Sequence, residues 1–548
     1  LPCVSFELRE RDLLARIGRL RTKGGTIETP LLLPVINPAV QPVSPRSMKE
    51  EFGCGAVITN AYIVRRQFGD RAVQEGIHRL LGFQGPVMTD SGAYQILRYG
   101  DVDITPEEAV RYQEEIGTDI ATILDVPTGW GAPEKRARYT VEETLRRARG
   151  LFEVKTREDI AWVGPVQGGP HLELVAQSAR EMAKLPFQVH ALGSPTQVME
   201  QYLFHVLADM ILTAKRNLPP DRPLHLFGAG HPLTFSLAVA LGCDLFDSAA
   251  YAIYARQGRY MTEHGTLRLS ELQYFPCPCP VCAANEPREV AAMPEAERAG
   301  LLARHNLHAC LSETRRIKQA IAEGRLWEHL EARAHGHPSL LRALKGLERH
   351  RDYLEELSPV TKGSGLFFFG SLGLVRPEVV RHGKRLLERF TPPVGARVLL
   401  LLPQVERKPF HRSREHRRAL DHLRKRLGDG LRMVHVCTYA APFGVVPVEL
   451  DEVYPLSQHE VATPIDEETR GYVAEQVGRY VGAMDYEAVV LLHDAEHWQG
   501  GLVESCRMAC EGKGVPLLVV SERSPWSGEA LSRLSAALHV ALKREKGS

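Results

Sequence analysis

Eight times within residues 30–250 a short apolar run stops abruptly at a polar residue or a glycine. The runs read PLLLPVIN, AVITNAY, PVMTDSG, IATILDVPTGW, WVGPVQGG, FQVHALGS, PLHLFGAG and CDLFDSAA. Apolar runs this short, bounded by turn formers, suit buried strands. Several of the intervening segments read as helices. In ITPEEAVRYQEEIG, Thr105 stands as N-cap, Pro106 takes the first helical position and Glu108 closes a capping box. Buried strands alternating with helices specify a parallel sheet. Eight of them predict an α/β fold of the (β/α)8 TIM-barrel type, with an open doubly wound sheet as the alternative.

In such a barrel the chemistry gathers at the carboxyl ends of the strands. Asn60, Asp90, Asp125, Gln167, Gly193, Gly230 and Asp247 occupy those ends and are the candidate residues. A lone strand-end Asp is ordinarily a helix cap or turn former. Three carboxylates over one mouth are another matter, because like charges in a shared cleft repel and lose solvation. With a glutamine and glycines beside them they point to catalysis.

The other features of the chain narrow its class. Its 548 residues are enough for two or three domains, and 44% apolar with 25% charged residues is the balance of a globular protein. The longest apolar stretch, near GLFFFGSLGLV, is too short to cross a bilayer, so no membrane partner is expected. Neither a Walker loop nor a GxGxxG fingerprint is present, and no nucleotide cofactor is expected. Of ten cysteines, Cys277, Cys279 and Cys282 fall in six positions of YFPCPCPVC. That C-x-C-x2-C spacing suits tetrahedral zinc, and LLARHNLHAC offers His305, His308 and Cys310 as a fourth ligand. The remaining cysteines are scattered, which is no disulfide framework and implies a reducing cytoplasm. Net charge is only +1, but Gln404–Arg432 holds ten Lys or Arg against four Asp or Glu, a stretch that suits phosphate or, equally, a solvated helix face.

The motifs VMTDSGAYQ, ILDVPT, VQGG, HLFGAGHP and DLFDSAAYAIYA, followed by CPCPVC, resemble the tRNA-guanine transglycosylases, and most of all the archaeal branch that begins archaeosine formation. The likeness covers residues 5–350. It implies base exchange at a nucleoside, in which Asp247 attacks C1′ and Asp90 protonates the departing guanine and then deprotonates the incoming base. It implies that Asp125 reads the N1–H and 2-amino edge, that Gln167 and the backbone near Gly193 read the carbonyl side, and that Tyr94, with Ser91 beside Asp90, lies under the base. It selects His305 as the fourth zinc ligand, and with four protein ligands the zinc is structural. The implied substrates are tRNA, at a D-loop guanine extruded from its stack, and 7-cyano-7-deazaguanine; the family forms dimers, so a homodimer is expected.

Beyond residue 350 the likeness to the first archaeal enzyme is expected to end. ARVLLLLPQ, RMVHVCTYA, YEAVVLLHD and VPLLVVS predict a small α/β domain after the linker TPPVGA. The expected organisation is a catalytic barrel at 1–345 with its zinc subdomain at 274–310, a helical connection at 346–392 and a second domain at 393–548. That domain resembles the added domain of archaeosine synthase, whose motif P-C-x3-K-P-Y-x2-S-x2-H is met here by Pro403, Lys408, Pro409, Ser413 and His416, with Gln404 for the cysteine and Phe410 for the tyrosine. Lys408, Ser413 and His416 are therefore a candidate second site. Base exchange is the expected function. The alternatives are synthase-like conversion of the nitrile of an inserted 7-cyano-7-deazaguanine, a non-catalytic tRNA-binding partner, and DNA-directed exchange.

Overall fold

In the computed structural model, which describes residues 4–93 and 103–543, the eight apolar runs are the eight strands of a closed barrel. Three antiparallel strands come first: β1 (Ser5–Asp12), β2 (Ala15–Thr22) and β3 (Gly25–Thr29). The barrel follows as β4 (Leu31–Ile36), β5 (Val57–Asn60), β6 (Val87–Asp90), β7 (Ile120–Thr122), β8 (Ala161–Val166), β9 (Val189–Leu192), β10 (Leu224–Leu226) and β11 (Leu245–Ser248). All neighbours pair in parallel, and β11 closes on β4. The helix after β6 spans Pro106–Glu115 and carries both halves of the capping box at Thr105 and Glu108.

Strand periodicity sorts the barrel side chains. Leu31, Leu33, Ile58, Met88, Ile120, Ala161, Val163, Val189, Ala191 and Leu245 form one buried cluster. Ala121, Trp162 and their neighbours pack instead with helical residues such as Val141, Leu145 and Leu174. Each large aliphatic side chain in such a layer contributes about 1.5–3 kcal/mol by leaving water. Strand β10 gives the first layer no aliphatic residue. His225, in register with Ala191 and Leu245, stands there instead. At the amino ends of the strands, Arg16 Nε meets Asp244 Oδ1 at 2.8 Å, and Asp244 Oδ2 accepts from Leu224 N, a buried ion pair at the end of the barrel that serves stability.

After the barrel, hairpin β12 (Arg259–Thr262) and β13 (Gly265–Arg268) leads into the cysteine-rich segment and the long helix Glu295–Glu323. The chain divides into two units at Leu347/Glu348. In the second, β14 (Leu366–Phe368) pairs in parallel with β18 (His459–Val461). A five-stranded sheet has the order β17-β16-β15-β19-β20, formed by β15 (Val398–Pro403), β16 (Val434–Ala440), β17 (Gly444–Pro447), β19 (Ala488–Asp494) and β20 (Leu517–Glu522). Alternate residues of β15 face opposite cores. Leu399 and Leu401 pack with the helices Glu467–Ala483 and Leu502–Lys513; Val398, Leu400 and Leu402 pack with Arg414–Leu427 and Gly528–Lys543. The stretch expected as a connection, 346–392, contributes β14 and the helix Pro377–Glu388 to this unit. No described helix is long and apolar enough to cross a membrane.

Candidate active site

A cavity of about 810 Å³ opens over the carboxyl ends of the barrel strands, and Asn60, Asp90, Asp125, Gln167, Gly193, Gly230 and Asp247 all line it. Register places Asn60 directly beside Asp90. The Asn60 amide is fixed at both ends: Oδ1 accepts from Ile63 N at 2.9 Å, capping the helix Ala61–Glu75, which leaves Nδ2 to donate to Asp90 Oδ2 at 3.0 Å. Burial, reinforced by the charges of Asp125 and Asp247, pushes the Asp90 carboxyl up to about 7 against the pull of the Ser91 and Gly92 backbone N–H groups. Gly92 adopts φ +99°, and a Cβ there would lie 2.6 Å from Tyr62 Cβ, so only glycine gives that turn its close approach.

Asp125 sits in the loop after β7. Gln167 Nε2 donates to its Oδ2 at 2.5 Å, while Gln167 Oε1 accepts from Thr128 N and Ser194 Oγ at 2.9 and 3.1 Å. Three bonds thus decide the amide orientation. Burial raises the Asp125 carboxyl to about 6, with the Gln167 bond opposing it. A Cβ at position 193 would fall 2.2 Å from Gln167 Nε2, which reserves that position for glycine. The Gly193 N–H itself donates to Val166 O at 2.9 Å and is committed to the barrel.

Asp247, on β11, accepts two hydrogen bonds on one oxygen. Gly228 N and His225 Nε2 both reach Oδ1 at 2.9 Å, and no described residue donates to Oδ2. His225 is fully buried and its Nδ1 has no partner, which places the ring proton on Nε2, facing Asp247. His225 is not among the residues expected from the sequence. Its signal was there, a single polar residue between two leucines in PLHLFGAG, at the position that points into the barrel. Ser91 does not line the cavity; its hydroxyl donates to Ile123 O at 2.9 Å and ties the end of β6 to the segment just past β7. Tyr94 lies outside the described residues.

The cysteine-rich segment forms a cluster that can hold a metal ion. The ligand atoms of Cys277, Cys279, Cys282 and His305 all lie within 4.8 Å of one another. His305 Nδ1 is 3.5 Å from Cys279 Sγ and 3.3 Å from Cys282 Sγ, and Nε2 donates to Met261 O at 2.9 Å, which turns the Nδ1 lone pair toward the sulfurs. These spacings fit a central ion with metal–sulfur bonds of about 2.3 Å and a metal–nitrogen bond of about 2.0 Å. Tyr260 stacks on the His305 ring with centroids 3.6 Å apart and holds its plane. His308 and Cys310 stand outside the cluster.

Residues 12–339 match the family model described as queuine tRNA-ribosyltransferase. The chain belongs to that family. As a member it is an enzyme, a pentosyltransferase. Three of its curated relatives carry the name tRNA-guanine(15) transglycosylase. The protein of Methanocaldococcus jannaschii is 43% identical over 85% of this chain and 70% of its own length. That of Pyrobaculum aerophilum is 44% identical over 87% and 94%, and that of Methanothermobacter thermautotrophicus 42% over 88% and 72%. Residues 379–538 match a second model, a domain of unknown function named DUF5591. The expectation that the likeness to the transglycosylases ends near residue 350 is corrected here. A match over 85–88% of the chain runs past Leu347, so these relatives share much of the second unit.

In that second unit the motif residues brace the fold of the family member. Gln404 Oε1 accepts from Ala441 N at 2.8 Å. Ser413 caps the helix Arg414–Leu427 by accepting from His416 N at 3.1 Å, and His416 Nε2 lies 3.1 Å from Pro403 O. Ser413 and His416 are buried. Burial lowers the His416 imidazole to about 4, so at neutral pH it is uncharged and donates to Pro403. Lys408 is separate from both: its Nζ donates to Glu406 O at 3.2 Å and lies 5.9 Å from the centre of the Phe410 ring. Burial lowers its ammonium below the usual lysine range.

Proposed function

We propose that this protein exchanges a guanine of tRNA for 7-cyano-7-deazaguanine, at the position 15 named in its relatives, through a covalent intermediate on Asp247. The observation that carries the reading is the split between the two carboxylates of one cavity. Asp90 is held near pH 7, where it can both give and take a proton, while Asp247 is held by two donors on a single oxygen. Asp247 Oδ2 attacks C1′ as the C1′–N9 bond breaks, and the departing guanine takes its proton from Asp90. Asp90 then removes a proton from the incoming base, whose nitrogen attacks C1′ and expels the Asp247 carboxylate. Two displacements return the sugar to its original configuration.

Asp125 accepts from the N1–H and 2-amino group of the base. The Gln167 amide has two N–H donors. One is used on Asp125, and the other is left for the base carbonyl. A second cavity, of about 750 Å³, supports a nucleic-acid substrate. Arg256, Arg259, Arg268 and Arg298 line it, and it shares Gln257, Arg259 and Thr266 with the catalytic cavity. Phosphates beside an extruded nucleotide meet guanidinium groups there.

Zinc is the ion that three thiolates and an imidazole favour, and with all four ligands from the protein it braces the fold and leaves catalysis to the barrel carboxylates. We further propose the cytoplasm as the site of action, a homodimer as the working form, and 1–345 as the catalytic part. The test is direct: unmodified tRNA is incubated with the protein and radiolabelled guanine, then with unlabelled 7-cyano-7-deazaguanine. Label should enter the tRNA and be chased out by the second base. Folded, metal-loaded protein that incorporates neither base would remove the proposal.

A further inference from the structure

Helix Arg414–Leu427 packs onto the sheet of the second unit through His416, Ala419 and Leu423. Its outer face is basic. Arg414, Arg417, Arg418, Arg424 and Lys425 are all exposed, and their spacing of three, four, ten and eleven residues from the first draws one stripe along the helix. Asp421 is the single acid on that stripe, and Arg424 takes it at 2.7 Å. Among the described residues no carboxylate pairs with Arg414, Arg417, Arg418 or Lys425. Other surface helices of this protein do supply such partners, as in Arg71–Glu75, Arg138–Glu134, Arg146–Glu143 and Arg533–Glu529. Along this stripe four of the five cations lack such a partner.

Arg418 lies over the amino end of the helix Gly528–Lys543, where a Cβ on Gly528 would be 3.9 Å from Arg418 Nη2. A helix amino end carries partial positive charge, so a guanidinium placed there gains from an anion that both can share. Three of the four unpaired cations are arginines, whose planar forks suit phosphate oxygens. From Arg414 to Lys425 the stripe runs about 16 Å, long enough for several successive phosphates.

We infer that this stripe is a docking surface for the phosphate backbone of RNA, and that the tRNA substrate is its occupant. The inference rests on the proposed tRNA exchange for the identity of the RNA. It gives the DUF5591 unit a role that needs no chemistry of its own, which accords with Ser413 and His416 being spent on the fold.

The test is the triple variant Arg414→Gln, Arg417→Gln, Arg418→Gln in the full chain. Glutamine is a good helix former, so the helix survives, and circular dichroism checks that it does. Binding of unmodified tRNA is titrated across a series of KCl concentrations, alongside the variant Arg533→Gln, which removes a paired arginine. The triple variant should bind at least tenfold more weakly at low salt, lower the slope of log affinity against log salt by roughly two to three units, and raise the KM for tRNA. Arg533→Gln should match wild type. Unchanged tRNA affinity and slope in the triple variant would overturn the inference, and so would intact tRNA binding with lost binding to phosphatidylserine vesicles, which would make the stripe a lipid surface. If the wild type binds tRNA through the stripe yet exchanges no base, the inference stands and the proposed exchange falls.

Discussion

Asp90 and Asp247 share a cavity but not an environment, and the difference is measurable on single residues. Because the folded state holds the Asp90 proton up to about pH 7 while the unfolded chain releases it near the ordinary value of about 4, the contribution of Asp90 to stability is fully present below that lower value. That contribution is lost as pH rises from about 4 through about 7. Asp90→Asn should therefore melt higher than wild type at pH 8, by up to about 4 kcal/mol at full effect, with the gap closing toward pH 4; a gap that widens on acidification would contradict the assignment. In the proposed exchange His225 would act through Asp247 as a positioning residue. His225→Phe should lower kcat by about tenfold to a hundredfold with KM for tRNA nearly unchanged, and His225→Gln should recover part of the loss by restoring a donor. The three carboxylates were legible in the sequence because each follows an apolar run at a point where a barrel strand must end. His225 was not, since a histidine between leucines reads equally as core. Ser91 follows the strand end directly, and its hydroxyl turns to Ile123 O, just past β7, instead of the cavity.

At the level of elements, the cysteine-rich segment stands out for legibility, because three cysteines in six residues have few other uses and the long helix supplies His305 at the right turn. Cys279→Ser should lower bound metal and melting temperature together, measured by metal analysis and calorimetry on the same preparation. Unchanged stability in metal-free protein would remove the bracing role. In the second unit, β15, β16, β19 and β20 were legible as apolar runs. The antiparallel edge strand β17 and the pair β14 and β18 were not, being three or four residues each, and β14 and β18 are held by partners distant in sequence. Lys408 stands apart from Ser413 and His416, which are tied to the helix and to β15. Lys408→Ala should leave base exchange by the barrel at near wild-type kcat; a loss of exchange proportional to a loss of lysine would place chemistry in this unit.

Over the whole molecule, a barrel of the tRNA-ribosyltransferase family is joined in sequence to a unit whose helix presents unpaired cations. The barrel could be read from the sequence because each strand is a short apolar run ended by a polar residue or a glycine. The reach of the transglycosylase likeness into the second unit could not, because that unit's motif is altered at Gln404 and Phe410 and reads more readily as a different enzyme's. Catalysis through a covalent bond between Asp247 and the sugar is testable by incubating end-labelled, unmodified tRNA with the protein, quenching in denaturant and measuring tRNA that stays attached to protein on a denaturing gel. Wild type should show an attached fraction, discharged by added 7-cyano-7-deazaguanine, and Asp247→Asn none. Attachment at wild-type yield in Asp247→Asn would contradict that bond.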